Sequence, residues 1–299
     1  MISSAIPTRL RASPAATGIG FMLLATLLFA VMDSINKSLT ATYPVQQVVW
    51  SRFAFQFGLM LFLIPRVGFS GLLRTKRPAL HVARGLLIVF ATYAFITSIS
   101  LVPLADAYTI TFTAPLLVTL LSIPLLKERV GWRRLCAVLV GFCGVIIVLQ
   151  PGHGSVHWAL LLPLVTAACF ALYQVLTRIG SYSPHETALM MLFYTALVGM
   201  VVNSAIVPFH WQHVAPTDWL WMITAGAFAV GGHLSLIQAL KIAPASLISP
   251  FIYTQIIWAF ILGYLWFGDV PGGGILAGCM VIVGSGVYVF YREAVRRKT

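Results

Sequence analysis

The stretch FAVMD at residues 29–33 recurs 141 residues later as FALYQ at residues 170–174. The same offset pairs like residues outward from this stretch: Lys37 lies over Arg178, Gly85 over Gly226, Pro103 over Pro244, Thr113 over Thr254 and Glu128 over Asp269. The register holds through four predicted helices with little slippage. The chain therefore contains an internal repeat, and this repeat determines its architecture.

The composition places both copies of the repeat in a membrane. Hydrophobic residues make up 60% of the 299 residues and charged residues 9%, with a mean hydropathy of +0.94. A soluble domain carries about 25% charged residues, so lipid rather than water must be the solvent. Apolar runs of roughly 20 residues predict ten helices, over residues 17–38, 44–65, 79–101, 104–126, 132–150, 156–178, 185–208, 217–239, 245–267 and 272–291.

Five helices in each copy give the two copies opposite orientations in the membrane. The sequence thus predicts an all-α integral membrane protein with two inverted five-helix repeats, which is typical of transporters with a site near the midplane. The predicted divisions are a tail at residues 1–16, a first repeat at 17–150, a second repeat at 156–291 and a basic tail at 292–299.

The basic residues indicate the orientation. With the N-terminus inside, all but two of the 19 Lys and Arg residues fall in cytoplasmic segments, the exceptions being Lys37 and Arg52. This positive-inside distribution predicts that both termini are cytoplasmic. The net charge of +12 therefore points to anionic lipid headgroups and not to nucleic acid, which would need a folded basic face.

Several of these features resemble the drug/metabolite transporter superfamily, EamA type. An acidic residue ends the fourth helix of each repeat, Glu128 in the first and Asp269 in the second. The fifth helix of each repeat is rich in glycine, with Gly141 and Gly144 in the first and Gly278, Gly284 and Gly286 in the second. The stretch VWSRF at residues 49–53 is similar to that family's arginine-bearing second helix. The chain departs from the family pattern at one position, because Phe193 stands opposite Arg52 where a second arginine is usual.

Within the superfamily the chain most resembles bacterial exporters of aromatic and other neutral amino acids, of the YddG type. The resemblance implies a secondary transporter of the bacterial cytoplasmic (inner) membrane, working by alternating access without a cofactor or metal. The alternatives are export of another small metabolite or drug, a membrane-embedded enzyme, and a receptor or scaffold. The sequence contains no nucleotide-binding or zinc-protease motif, which argues against an enzyme.

Asp33 is the acidic residue deepest in the predicted membrane, and it lies opposite Gln174 by the repeat. An intramembrane charge costs at least about 2.5–3.5 kcal/mol, so the Asp33 side chain should face protein or water. One interpretation is a site for a substrate amine or a coupled proton. The other is an internal partner for Lys37, one helical turn further on.

Arg52, near the start of the second predicted helix, also allows two interpretations. It either bridges helices or bonds carbonyl groups at a helix end, or it recognises a substrate carboxylate. We favour the first of these two roles.

The fourth and ninth predicted helices carry a matching pattern of hydroxyls and rings. On an α-helix with 3.6 residues per turn, Ser246, Ser249 and Tyr253 of the ninth predicted helix share one face. The repeat places Tyr108 and Phe112 of the fourth predicted helix opposite Ser249 and Tyr253, at equal depth. Pro115 and Pro250 would let both helices bend. The interpretations are a cavity lining or polar packing between helices, and the residues concerned are Tyr108, Thr111, Phe112, Ser246, Ser249 and Tyr253.

Further substrate-binding candidates lie on the third, sixth and eighth helices: Tyr93, Tyr173, Gln174 and His233. A lone aromatic or histidine in a helix is more often a packing residue than a ligand contact. The four cysteines show no metal spacing and are expected to be free thiols. The expected partners are a small-molecule substrate and the lipid bilayer.

Overall fold

A computed structural model describes residues 14–63, 75–127, 130–149, 158–181, 183, 185–242 and 249–296. The first repeat contains α1 (Pro14–Thr40), α2 (Val45–Leu63), α3 (Pro78–Ile99), α4 (Leu104–Thr111), α5 (Ala114–Leu126) and α6 (Trp132–Leu149). The second contains α7 (Leu162–Ser181), α8 (Ala188–Ile206), α9 (Pro216–Ile242), α10 (Thr254–Phe267) and α11 (Gly273–Arg296). Short 3-10 helices occupy Trp158–Leu160, Val207–His210 and Ser249–Tyr253.

The helices have the length and polarity of membrane spans. Among the described residues, seven segments are long and apolar enough to cross a bilayer, and two shorter helices, Leu135–Leu149 and Phe251–Phe267, are also apolar. The predicted all-α membrane fold is confirmed. Most helix ends differ from the predicted ones by only a few residues, because composition marks the apolar stretch but not the cap that ends it.

The fourth predicted helix, residues 104–126, is in fact two helices. Helix α4 ends at Thr111 and α5 begins at Ala114, since Pro115 has no N–H to continue the ladder. In the second repeat the 3-10 helix Ser249–Tyr253 precedes α10, which starts at Thr254. Tyr253 is the repeat equivalent of Phe112, so α5 and α10 each begin just after one of two equivalent positions.

Helix packing follows the repeat. Helix α1 packs extensively on α9, and the equivalent pair is α7 on α3; α2 packs on α9 as α8 does on α3, and α10 on α1 as α5 does on α7. Two further contacts join equivalent helices to each other, namely α2 with α8 and α6 with α11, and α4 also packs on α10. The repeats are thus interleaved about a pseudo-twofold axis, and each main contact has its counterpart.

Two equivalent glycines allow this close packing. A Cβ at Gly85 of α3 would lie 2.5 Å from the Val198 Cβ of α8, and a Cβ at Gly226 of α9 would lie 2.4 Å from the Phe55 Cβ of α2. Real Cβ atoms do not approach so closely, so each helix pair needs a residue without a side chain. Small residues at interfaces replace the missing hydrophobic driving force between membrane helices.

Replacing Gly226 by Ala is therefore expected to destabilise the protein by about 1–3 kcal/mol, the usual cost of overpacking. The added methyl would also approach the Gln56 backbone nitrogen to 3.2 Å, and backbone cannot move aside as a side chain can. Thermal unfolding in detergent measures the effect. Gly58→Ala is the matched control because nothing lies within 4 Å of its Cβ position; equal melting temperatures for the two variants would contradict the prediction.

Candidate functional site

A buried carboxylate from α1 lies where helices of both repeats meet. Asp33 is 6% exposed, and its Oδ2 accepts a short hydrogen bond from the Tyr108 hydroxyl of α4. Its Oδ1 accepts a weaker one from Asn36 Nδ2 at 3.4 Å. Tyr108 in turn accepts from Gln255 Nε2 of α10 at 2.8 Å. The chain Gln255–Tyr108–Asp33 therefore ties the second repeat to the first through one polar network.

Arg52 from α2 supplies the opposite charge. Its Nη1 donates to Thr92 Oγ1 of α3 at 2.9 Å, and its charge acts on both Asp33 and His233. Its Nε is buried and has no hydrogen-bond partner among the described residues. Because a buried donor without a partner costs about 1–3 kcal/mol, this N–H is available to a bound acceptor. Through its hydrogen bond to Thr92, Arg52 bridges α2 and α3, which is one of the two roles that the sequence allowed.

Aromatic rings continue the network on one side. Tyr108 lies edge-on to Phe95 with ring centroids 5.0 Å apart, and it stacks on Phe112 at 6.1 Å. Phe112 lies 5.3 Å from Tyr253, whose ring reaches Phe290 of α11. The Tyr253 hydroxyl is buried without a partner among the described residues. The site thus joins two opposite charges to a wall of rings, arranged where α5 and α10 begin.

Each repeat matches the EamA-like transporter family, the first at residues 16–150 and the second at residues 157–291. The chain belongs to this family. It is accordingly a multi-pass membrane transporter of the drug/metabolite type and not an enzyme.

Characterised relatives cover nearly the whole of this EamA-like transporter. An S-adenosylmethionine uptake transporter of Rickettsia conorii is 26% identical over 94% of this chain and 96% of its own length. A riboflavin transporter of Vibrio cholerae is 29% identical, covering 90% and 91%. The pseudopaline exporter CntI of Pseudomonas aeruginosa is 25% identical, covering 89% and 93%. A solved crystal structure aligns over 94% of this chain and 99% of its own, with a TM-score of 0.62 and 20% identity, and shows the same fold.

The EamA-like transporter brings together part of the predicted site. Asp33, Tyr108, Phe112 and Tyr253 form one connected group, as described above. Thr111 bonds the Ala107 carbonyl of its own helix. The Ser246 position lies outside the described residues, and Ser249 begins a 3-10 helix whose first side chains are not described.

Other predicted contacts belong to different parts of the EamA-like transporter. Tyr93 donates to Asn203 of α8 at 2.7 Å. Tyr173 lies against Arg84, whose guanidinium carbon is 4.9 Å from its ring, and Gln174 on the same helix is half-buried. His233 donates its Nδ1 proton to the Ala229 carbonyl at 2.7 Å, which leaves Nε2 free of that bond. Of these four residues, His233 is the one on which the charge of Arg52 is seen to act.

The predicted alternative partner of Asp33 is wrong. Lys37 donates instead to Asp269 Oδ2 at 3.0 Å and to the Val102 carbonyl at 3.1 Å. It points along α1 toward the end that sequence analysis predicts to be external, while Asp33 faces α4. Spacing along one helix cannot detect a stronger partner on another helix. Asp106 of α4, not considered in the sequence analysis, acts electrostatically on this Lys37–Asp269 pair.

A second buried polar cluster lies near the predicted cytoplasmic end of the EamA-like transporter. His81 Nε2 and Glu186 Oε2 are 2.8 Å apart with both side chains fully buried, and Arg84 bonds Thr177 at 2.9 Å. Burial raises the pKa of Glu186, but hydrogen bonds from His81, Thr75 and the Lys76 amide lower it by more. The pKa of Glu186 therefore lies below its usual value. The charged Glu186 therefore stabilises the contact between repeats at neutral pH, and this stabilisation is lost as the pH falls through the lowered pKa.

Proposed function

We propose that the protein carries a small zwitterionic metabolite with a flat aromatic or apolar body, and that aromatic and other neutral amino acids are its first candidate substrates. The observation that carries this proposal is the buried Asp33 carboxylate, on which the charge of the half-buried Arg52 acts, beside a wall of rings. A zwitterion presents the two complementary charges, so each buried group gains a partner when the substrate binds.

The proposed contacts follow from the donor and acceptor inventory. The Asp33 carboxylate would accept from the substrate ammonium, and the unpartnered Arg52 Nε would donate to the substrate carboxylate. Tyr108, Phe112 and Tyr253 would contact the apolar part of the substrate, since offset and edge-on ring contacts contribute about 0.5–1.5 kcal/mol beyond area burial. Asp33 also remains the candidate for a coupled proton.

The relatives' names support the substrate chemistry in part. S-adenosylmethionine combines an amino-acid head group with a flat purine, so it fits the same description as an aromatic amino acid. It is therefore the second candidate substrate. Riboflavin offers a flat ring system without a zwitterionic head group, and its transport by this chain would make the rings, and not the charges, decisive.

Export across the bacterial cytoplasmic membrane is the proposed direction, as in the pseudopaline exporter named above. In the proposed alternating-access cycle the two halves rock about the Asp33 site. The Lys37–Asp269 pair, with side chains 15% and 21% exposed, would have to separate whenever the predicted external end opens. The His81–Glu186 contact would separate when the other end opens.

Flux in sealed proteoliposomes containing only this protein tests the substrate proposal. Labelled phenylalanine, leucine, S-adenosylmethionine and riboflavin are loaded inside in separate preparations, and efflux is followed against protein-free vesicles. Saturable flux of the first three and little flux of riboflavin is the expected result. Flux of riboflavin alone, or of none of the four, would overturn the proposal. Repeating the assay with label outside measures how flux depends on direction.

The proposed topology, with both termini in the cytoplasm, predicts which loops are reachable from outside. In a background without the native cysteines, a cysteine at His213 should react with a membrane-impermeant reagent added to intact cells, and a cysteine at Lys76 should react only after lysis. Both positions are exposed, so access depends on sidedness and not on burial. Labelling of Lys76→Cys in intact cells would show that the protein has the opposite orientation.

A further inference from the structure

A groove runs between α6 and α11 on the outside of the bundle, away from the Asp33 site. Its volume is about 480 Å³, and its lining includes Trp132, Arg133, Ala137, Gly284 and Tyr288. Trp132 is 70% exposed and Tyr288 42%, so neither ring is covered by the protein. In a membrane protein such rings contact lipid.

Glycines explain why the groove exists. Further along the two helices a Cβ at Gly278 would lie 2.7 Å from the Gly144 carbonyl oxygen, so α6 and α11 touch there backbone to backbone. At Gly284, two turns nearer the C-terminus, nothing lies within 4 Å of the Cβ position. The two helices remain in contact beside the groove, where a Cβ at Gly141 would lie 2.5 Å from the Ser285 hydroxyl oxygen. The groove is the space on the outer side of this contact, and a side chain at Gly284 would enter it.

The chemistry of the groove changes along its length. Arg133 lies in the first turn of α6 with its guanidinium carbon 5.4 Å from the Trp132 ring centroid. Trp and Tyr are enriched at the level of lipid headgroups, and a basic residue beside them attracts anionic headgroups. Below this charged mouth the lining is Cys136, Ala137, Val140, Gly284 and Ser285. The Ser285 hydroxyl already donates to the Ile282 carbonyl of its own helix, so this lining suits a hydrocarbon chain.

We propose that this groove binds one anionic phospholipid, with its phosphate at Arg133 and an acyl chain between α6 and α11. Charge complementarity favours a lipid over a second copy of the chain. A twofold dimer through this face would bring the same surface against itself and so place Arg133 and its copy in one interface. An anionic headgroup instead neutralises that charge, and the predicted cytoplasmic leaflet on which α6 begins is the anionic one.

Native mass spectrometry of the purified full chain, delipidated in detergent, tests the proposal with phosphatidylglycerol and phosphatidylcholine of identical acyl chains. One phosphatidylglycerol is expected to bind to each protein and to raise its melting temperature. Phosphatidylcholine should bind roughly fivefold more weakly, because one basic residue near an anionic lipid contributes about 1 kcal/mol. Equal binding of the two lipids would overturn the headgroup assignment.

Two substitutions separate the head and the tail of the site. Arg133→Gln should abolish the preference for phosphatidylglycerol while keeping a bound lipid. Gly284→Leu should fill the groove without a clash and lower lipid occupancy at least tenfold. The matched control is Gly20→Leu, on another exposed glycine with nothing within 4 Å of its Cβ position. Retention of the lipid by Gly284→Leu would overturn the proposal, as would a dimer that Gly284→Leu dissociates while phosphatidylglycerol has no effect.

Discussion

Replacing Asp33 by Asn is expected to reduce transport of amine-bearing substrates by roughly 10- to 100-fold while folded protein still reaches the membrane. Asparagine keeps an acceptor oxygen for the Tyr108 hydroxyl but removes the charge that would bind an ammonium group. Hydrogen bonds to charged groups contribute about 1.5–3 kcal/mol, and each 1.4 kcal/mol is a tenfold change in affinity. Concentration-dependent flux in proteoliposomes measures the loss.

A structural role for Asp33 makes a different prediction, which the double variant Asp33→Asn with Arg52→Gln tests. If the carboxylate only neutralises Arg52, removing both charges leaves no buried charge unpaired, and transport should return. If the pair binds a zwitterion, the double variant should transport less than either single one. Asp218→Asn is the control, because Asp218 accepts a hydrogen bond from the Tyr43 hydroxyl and is not part of the network around Asp33. Full activity of the double variant would contradict a substrate role.

Replacing Gly286 by Ala is expected to lower apparent affinity for a large aromatic substrate roughly tenfold or more and to spare a small one. A Cβ at position 286 would lie 1.8 Å from the Tyr253 hydroxyl oxygen and 2.6 Å from its ring, so the ring must move away from α11. Phe112, with its ring centroid 5.3 Å from that of Tyr253, lies beside it in the site. Overpacking of about 1–3 kcal/mol would thus narrow the space for the substrate's rings.

The rescue variant distinguishes this effect from misfolding. Tyr253→Phe removes the oxygen that makes the closest approach, so combining it with Gly286→Ala should restore part of the affinity for the large substrate. Gly58→Ala, with open space around its Cβ position, should leave both substrates unaffected. Flux of labelled phenylalanine and alanine in parallel gives the comparison. Equal losses for both substrates would show that Gly286 acts through folding alone.

The sequence predicts the architecture well because its signals are local and repeated. Apolar length marks each span, the 141-residue offset pairs the spans, and Pro115 marks the break that separates α4 from α5. The same offset correctly relates Phe112 and Tyr253, and both reach the site. These features depend on one stretch of chain or on a comparison of two.

Contacts between distant helices were not predictable in the same way. Helical periodicity tells which residues share a face, but not which neighbour covers that face. Lys37 therefore looked like a partner for Asp33 and binds Asp269 instead, 232 residues away. Gln255 and Thr92 complete the network although neither belongs to a motif. His81 and Glu186, 105 residues apart in sequence, likewise carry no local signal.

The equivalent positions of Phe112 and Tyr253, just before α5 and α10, bear on the energetics of transport. Because each repeat contributes a ring just before an equivalent helix, a substrate in the proposed alternating-access cycle would meet similar chemistry whichever end of the bundle is open. A carrier of this proposed design would give neither membrane face a large advantage in affinity, and the gradients of substrate and of any coupled ion would set the direction of net flow. Uptake and export transporters can therefore share one fold, as the relatives' names indicate, and a change of direction requires no change of architecture.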